Sequence, residues 1–182
     1  MSKDIKYKIE LFSDWHCGSG LSAGADLDLL VIKDSNRLPF VPGKTIKGLL
    51  REAVEVLSEL QPSNSEQNSE LVIHVFGKEA SSQGCAFFRN AELEENVKTV
   101  IIVEKLQEFL YRSISSTAIN DDGVAEEHSL RKMEVTVPCI LQGEILSVPD
   151  ECEELLVKGL MMVKRLGQNR NRGLGRCKIT IL

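Results

Sequence analysis

The sequence predicts an α+β fold of order β-α-β-β-α-β, and three observations carry that expectation. Both ends of the 182-residue chain alternate apolar and polar residues with period two. Two longer stretches repeat apolar residues with the period of a helix, and two further strand-like runs lie between them.

The first strand is set by Ile5, Tyr7, Ile9 and Leu11 against Lys6, Lys8 and Glu10. After Pro42-Gly43, the positions Ile46, Leu49, Leu50, Ala53, Val54, Leu57 and Leu60 follow the spacing of an amphipathic helix, with Thr45 or a neighbour as N-cap. The polar run "QPSNSEQNSE" ends it as a loop, and "GCAFFRNAEL" (84–93) and "KMEVTVPCILQGEIL" (132–146) read as strands. A second helix fits residues 151–166, striped by Cys152, Leu155, Leu156, Gly159, Leu160 and Val163, with Gly167 as its C-cap. The last strand alternates Cys177, Ile179 and Ile181 against Arg176, Lys178 and Thr180. This order is the split βαβ of a ferredoxin-like, or RRM-like, core. Residues 94–131 are too long for a hairpin connection and read as an insertion of functional type.

The length favours one domain with an elaboration over two full domains. No apolar run approaches the roughly 18 residues that span a bilayer, so the expectation is a soluble, cytoplasmic protein with no membrane partner. Five cysteines at 17, 85, 139, 152 and 177 form no C-x-x-C pair and read as ordinary reduced residues. The net charge is −5, but residues 164–178, "KRLGQNRNRGLGRCK", hold six basic residues and no acidic one. The other 16 basic and 27 acidic residues leave −11, so an acidic body carries one basic segment suited to an anion.

"LPFVPGKT" ends in Gly-Lys-Thr but has Leu38 where a P-loop needs its first glycine, which excludes that nucleotide site. What remains is a helix entrance with Lys44, Lys47 and Arg51 on its polar face, suited to a phosphodiester and equally to a solvated surface. Arg170, Arg172 and Arg176, with Gly173 and Gly175 allowing close backbone approach, offer forked donors to phosphate oxygens. Asp26 and Asp28 would share one face of a short strand and hold a divalent cation, or simply lie exposed. His16, beside Asp14 and Cys17, reads more readily as structural than as a base. "QGCAFFRN" matches three of seven specified positions of the RRM strand motif, at Gly84, Ala86 and Phe87, and the chain has only nine aromatic residues. Any RNA would be gripped by its backbone more than by stacking.

Taken together, "HCGSG", "DLDLLVIKDSNRLPFVPGKTIKGLLRE", "VFGKEASSQGCAFFRNAEL" and "LGQNRNRGLGR", in that order, resemble the RAMP superfamily of CRISPR-associated proteins. Within it the similarity is to the repeated backbone subunit of type III effector complexes. The resemblance implies a single RAMP domain over residues 1–182, with a ferredoxin-like core and residues 94–131 as a β-thumb, Arg112 at its base. It implies binding of CRISPR guide RNA, contact with target RNA, and assembly with other effector subunits, copies of itself included. Lys44, Thr45, Lys47, Arg51, Arg112, Arg170, Arg172, Gly173, Gly175 and Arg176 would hold RNA.

Some such subunits cut target RNA with a metal-dependent aspartate, six positions before an acidic residue that follows a basic one. Lys33-Asp34 supplies that pair and Asp28 the aspartate, with Mg²⁺ or a similar divalent cation as the implied cofactor. The family's frequent proline two residues on is Leu30 here, and Asp26 leaves the register open by two. Two alternatives stand beside this reading: a guide-processing endoribonuclease using His16, and a non-catalytic capping subunit.

Overall fold

The structure is a computed structural model that describes residues 2–21, 28–60, 65–78, 82–126 and 129–182. Strand β1 (Ser2–Leu11) buries Ile5, Tyr7, Ile9 and Leu11 on one face, as its alternation requires. It runs antiparallel to both its neighbours, β9 (Ile140–Pro149) and β10 (Cys177–Ile181). Beyond β9 lie two-residue strands β5 (Phe87–Phe88) and β6 (Ala91–Glu92), and β2 (Phe40–Val41) pairs with β6. The order is therefore β10-β1-β9-β6-β2, with β5 also on β9. The register slips by one residue between Lys3 and Ile5, opposite Ser147 at φ 58°, so Leu141, Ile145 and Val148 all reach the core.

Helices α1 (Gly43–Glu59) and α4 (Asp150–Met162) pack against each other and against this sheet. Asp150, Glu151 and Glu153 occupy the first turn of α4, where the helix dipole favours negative charge. The helices meet at Gly159, where an added Cβ would come within 2.7 Å of Leu50 Cδ1 and 2.8 Å of Val54 Cγ2. Gly43 is used in the same way, since a Cβ there would collide with the Phe88 carbonyl of β5. The glycine of the Gly-Lys-Thr run is thus required for packing, whatever Lys44 contacts.

Four local expectations change. The start of α1 is set by Pro42, whose carbonyl accepts from Thr45 N at 2.8 Å, with no side-chain cap from Thr45. The polar run expected as a loop enters a second helix, α2 (Ser65–Phe76), whose Phe76 ring stacks on Phe88 at 5.6 Å. α2 is followed by the ribbon β3 (Gly77–Lys78) and β4 (Ser82–Gln83). The single strand expected over 132–146 is two, β8 (Arg131–Thr136) and β9, because Pro138 between them has no N–H for a ladder. α4 stops at Met162, since residues 164–166 pair with the chain entering β10 through Cys177 N to Lys164 O and Leu166 N to Gly175 O. Val163 and Leu166 are buried by that pairing, and their spacing imitates a continuing helix.

Residues 94–131 hold helix α3 (Glu95–Val103), a 3₁₀ turn (Gln107–Leu110) and strand β7 (Tyr111–Ser116), which pairs antiparallel with β8 as a separate hairpin. Among the described residues no helix is long and apolar enough to cross a membrane.

The two glycines of α1 give opposite expectations. Gly43→Ala, blocked by the Phe88 carbonyl, should destabilise by about 1–3 kcal/mol and lower Tm by about 2–4 °C per kcal/mol. Gly48→Ala meets nothing within 4 Å. It should stabilise by about 0.5–1 kcal/mol in the same thermal melts.

Candidate functional site

After β1 the chain runs along the hairpin. Trp15 and Thr136 exchange two backbone hydrogen bonds, at 3.0 and 2.8 Å. Residues 28–33 then lie between the 17–19 segment and β8. Ile32 N reaches Cys17 O at 2.8 Å and Ser19 N reaches Leu30 O at 2.9 Å on one side. On the other, Asp28 N donates to Lys132 O at 2.9 Å and Glu134 N to Leu29 O at 3.0 Å.

This arrangement presents Asp28 at the surface in a fixed pose. Its Oδ2 accepts the Lys132 N–H at 2.7 Å, leaving Oδ1 without a partner among the described residues. Asp28 lines a cleft of about 600 Å³ shared by the hairpin and the glycine-arginine loop. Leu29, Ile114, Met133 and Leu174 give that cleft an apolar lining, and Gln168 and Asn169 add amides. Its charged groups are Asp28, Arg131, Lys132 and Arg172, three cations to one carboxylate. A nucleic-acid strand, with an anionic backbone and bases whose flat faces pack on apolar side chains, matches that combination.

Only some of the expected residues meet here. Arg172 does, and its side chain has no ion-pair partner among the described residues. Arg170 instead forms a forked pair with Glu52 of α1 at 3.2–3.3 Å. Arg112 is held by buried Asp14, through Nε at 2.7 Å and through Nη2. Arg51 pairs with Glu55 at 2.8 Å. Lys44, Thr45, Lys47 and Arg51 do not line the cleft. The α1 entrance is also less open to an anion than its sequence suggests, because Gly43 N donates to Asn90 Oδ1 at 3.0 Å. Asp26 and His128 lie outside the described residues.

The glycines divide in the same way. Gly173 stands at φ 95° with open space where a Cβ would be. Gly175, at φ 65°, is needed because a Cβ would strike the Leu166 carbonyl, so its close approach is internal to the protein. The loop docks on the segment after β1 through Gly175 N to Asp14 O at 2.7 Å and Gln168 N to His16 O at 2.8 Å. Arg176 is exposed beside it.

Asp34, the acidic residue that set the register, is a turn-former: its Oδ1 accepts from Asn36 N and Leu38 N, both at 2.8 Å. His16 is fully buried, with Nδ1 2.7 Å from Glu134 O. Burial pushes the Cys17 and Cys139 thiols up to about 12, which removes them as nucleophiles near neutral pH.

Glu134 is the residue that the sequence does not mark. On β8, its Oε1 lies 2.7 Å from Lys33 Nζ and its Oε2 accepts Val31 N at 3.1 Å. Lys33 Nζ also stands 3.9 Å from the centre of the Tyr111 ring. A lone glutamate in an alternating strand gives no signal beyond an outward position, so only the fold reveals it.

Among the described residues no three His, Cys, Asp or Glu side chains are placed to hold a metal ion. One carboxylate with a free oxygen still fits Mg²⁺, which is commonly held by one or two carboxylates together with substrate phosphates.

The family model that matches the chain is that of the RAMP superfamily, over residues 8–178. No curated protein matches the sequence. Among solved structures, a chain of "Cryo-EM structure of the Type III-B Cmr-beta bound to cognate target RNA" superposes with TM-score 0.76 at 12% identity, covering 99% of this chain and 97% of that one. A chain of the apo-state Type III-B Cmr-beta structure gives TM-score 0.72, also at 12% identity, covering 98% and 97%.

Proposed function

The chain belongs to the RAMP superfamily, and on that premise we propose that it is an RNA-binding backbone subunit of a cytoplasmic CRISPR type III effector complex. The observation that carries this reading is the cleft in which Arg131, Lys132 and Arg172 surround Asp28. The likeness in fold to chains of type III-B Cmr-beta complexes supports the same class of assembly. In finer terms, the core is ferredoxin-like: β10, β1, β9 and the β5/β6 pair take the 4-1-3-2 places of that sheet. The β7–β8 hairpin, with α3, is the thumb.

Guide RNA would follow Lys44, Lys47, Arg172 and Arg176, none of which has a carboxylate partner among the described residues, with other effector subunits and copies of this chain along it. Arg170 and Arg112 would act through the loops they brace. Target RNA would enter the cleft, where Arg131 holds a phosphate by forked hydrogen bonds, Lys132 adds positive charge and the apolar lining takes the face of a base.

Cutting is the second layer of the proposal. Asp28, oriented by the Lys132 N–H, would promote attack of a ribose 2′-hydroxyl on the adjacent phosphate, the bond from phosphorus to the 5′-oxygen breaking as the one to the 2′-oxygen forms. A divalent cation, when bound, would be held by Asp28 and would supply charge neutralisation at that phosphate. Guide processing through His16 has no support from its full burial.

Binding is tested by titrating single-stranded RNA into the full chain at rising salt. Log affinity should fall with log salt by about 0.7 for each phosphate contacted, nearly equally across sequences. Arg172→Ala should flatten that slope by about one contact. A salt-independent affinity contradicts phosphate gripping. For cutting, Asp28→Asn in an assembled complex should lower target cleavage by about 10²-fold or more with guide binding unchanged. Cleavage at the wild-type rate removes Asp28 as the cutting residue.

A further inference from the structure

The carboxylate of Glu134 touches nothing in the cleft, yet it is engaged at both oxygens and only 12% exposed. Its backbone is engaged as well: Glu134 N donates to Leu29 O and Glu134 O lies 2.7 Å from His16 Nδ1. Three of those four contacts run to residues 29, 31 and 33, immediately after Asp28. The fourth fixes the segment leaving β1. Tyr111, on the other hairpin strand, stacks under Lys33 and donates its hydroxyl to Arg37 O at 2.7 Å. Both strands of the hairpin therefore hold the segment that presents Asp28.

We infer that Glu134 is the positioning residue for Asp28. It clamps residues 29–33 to β8, so that the Asp28 carboxylate is carried by the hairpin and takes its place relative to RNA from the hairpin's own position. Removing the side chain strips an acceptor from the Val31 N–H and leaves Lys33, whose side chain is 29% exposed, without its carboxylate. The Asp28–Lys132 hydrogen bonds remain in such a variant, which loosens the pose without abolishing it. The consequence for cutting rests on the proposed role of Asp28, whereas the mechanical link does not.

The test compares Glu134→Ala, Glu134→Gln and wild type as full-length proteins. Hydrogen exchange of the amides in residues 28–33 should be about tenfold faster in Glu134→Ala than in wild type. Glu134→Gln keeps an acceptor for either Val31 or Lys33 but not both, and should fall between. In assembled complexes, Glu134→Ala should lower the single-turnover rate of target cleavage by about tenfold while RNA affinity stays within about twofold, and Glu134→Gln should recover most of the rate. Unchanged exchange in Glu134→Ala overturns the inference, as does an equal loss of RNA affinity and cleavage. If Glu134→Ala does not fold, Lys33→Met decides instead, with faster exchange over 28–33 expected and unchanged exchange contradicting. Should Asp28→Asn leave cleavage intact, the role of Asp28 falls, and the exchange result alone still decides for or against Glu134.

Discussion

The ion pair and hydrogen bonds of Glu134 are the constraint on which the rest of the site depends. Without them residues 29–33 would lose their side-chain tie to β8, and the segment would meet that strand mainly through the Asp28–Lys132 hydrogen bonds at its start, with residues 17–19 on its other side. With them, the exit of β1, the carboxylate loop and the hairpin form one body. The glycine-arginine loop joins it from below through Asp14 and His16. A partly buried ion pair is weak evidence of net stability, because desolvation opposes its attraction. Its value here is geometric: it fixes which residues face the cleft.

Charge is used with the same economy. The body is acidic, and half of the six basic residues in the basic segment are engaged within the protein, one by a carboxylate and two by backbone carbonyls. Arg170 is spent on Glu52, Arg165 donates to Arg170 O at 3.0 Å, and Lys164 donates to Met161 O at 2.6 Å. Arg112 neutralises the buried carboxylate of Asp14. What remains for an outside anion is narrower than six residues, and Arg172 is the member that reaches the cleft. A cluster that looks in sequence like a uniform polyanion site is thus part scaffold and part open surface.

The sequence makes the central elements legible for physical reasons. Ile5, Tyr7, Ile9 and Leu11 bury one face of a strand and cannot do otherwise without exposing it, and Ile46, Leu50 and Val54 do the same for α1. Contacts distant in sequence were not legible. Nothing in "KMEVTV" shows that Glu134 will meet Val31 and Lys33, about a hundred positions earlier. Nor does "VPGKT" show that its glycine is needed against Phe88, since the constraint belongs to the strand it lands on. Val163 and Leu166 carry the spacing of α4 past its end, because a buried extended segment there satisfies the same apolar positions. Asp28 was legible as the cutting candidate only through the resemblance, whose pattern uses Lys33-Asp34 to set the register, although Asp34 itself builds a turn.

The most direct measurement is photo-crosslinking of single-stranded RNA carrying 4-thiouridine to the protein in its assembled complex, read residue by residue by mass spectrometry. If the cleft between the hairpin and the glycine-arginine loop receives RNA, adducts will fall on residues 28–29, 114, 116, 131–133, 168–169, 172 and 174. Adducts confined to the opposite, solvent-facing side of the sheet, at Lys6, Phe87, Gln142 and Lys178, with none in the cleft, would contradict it.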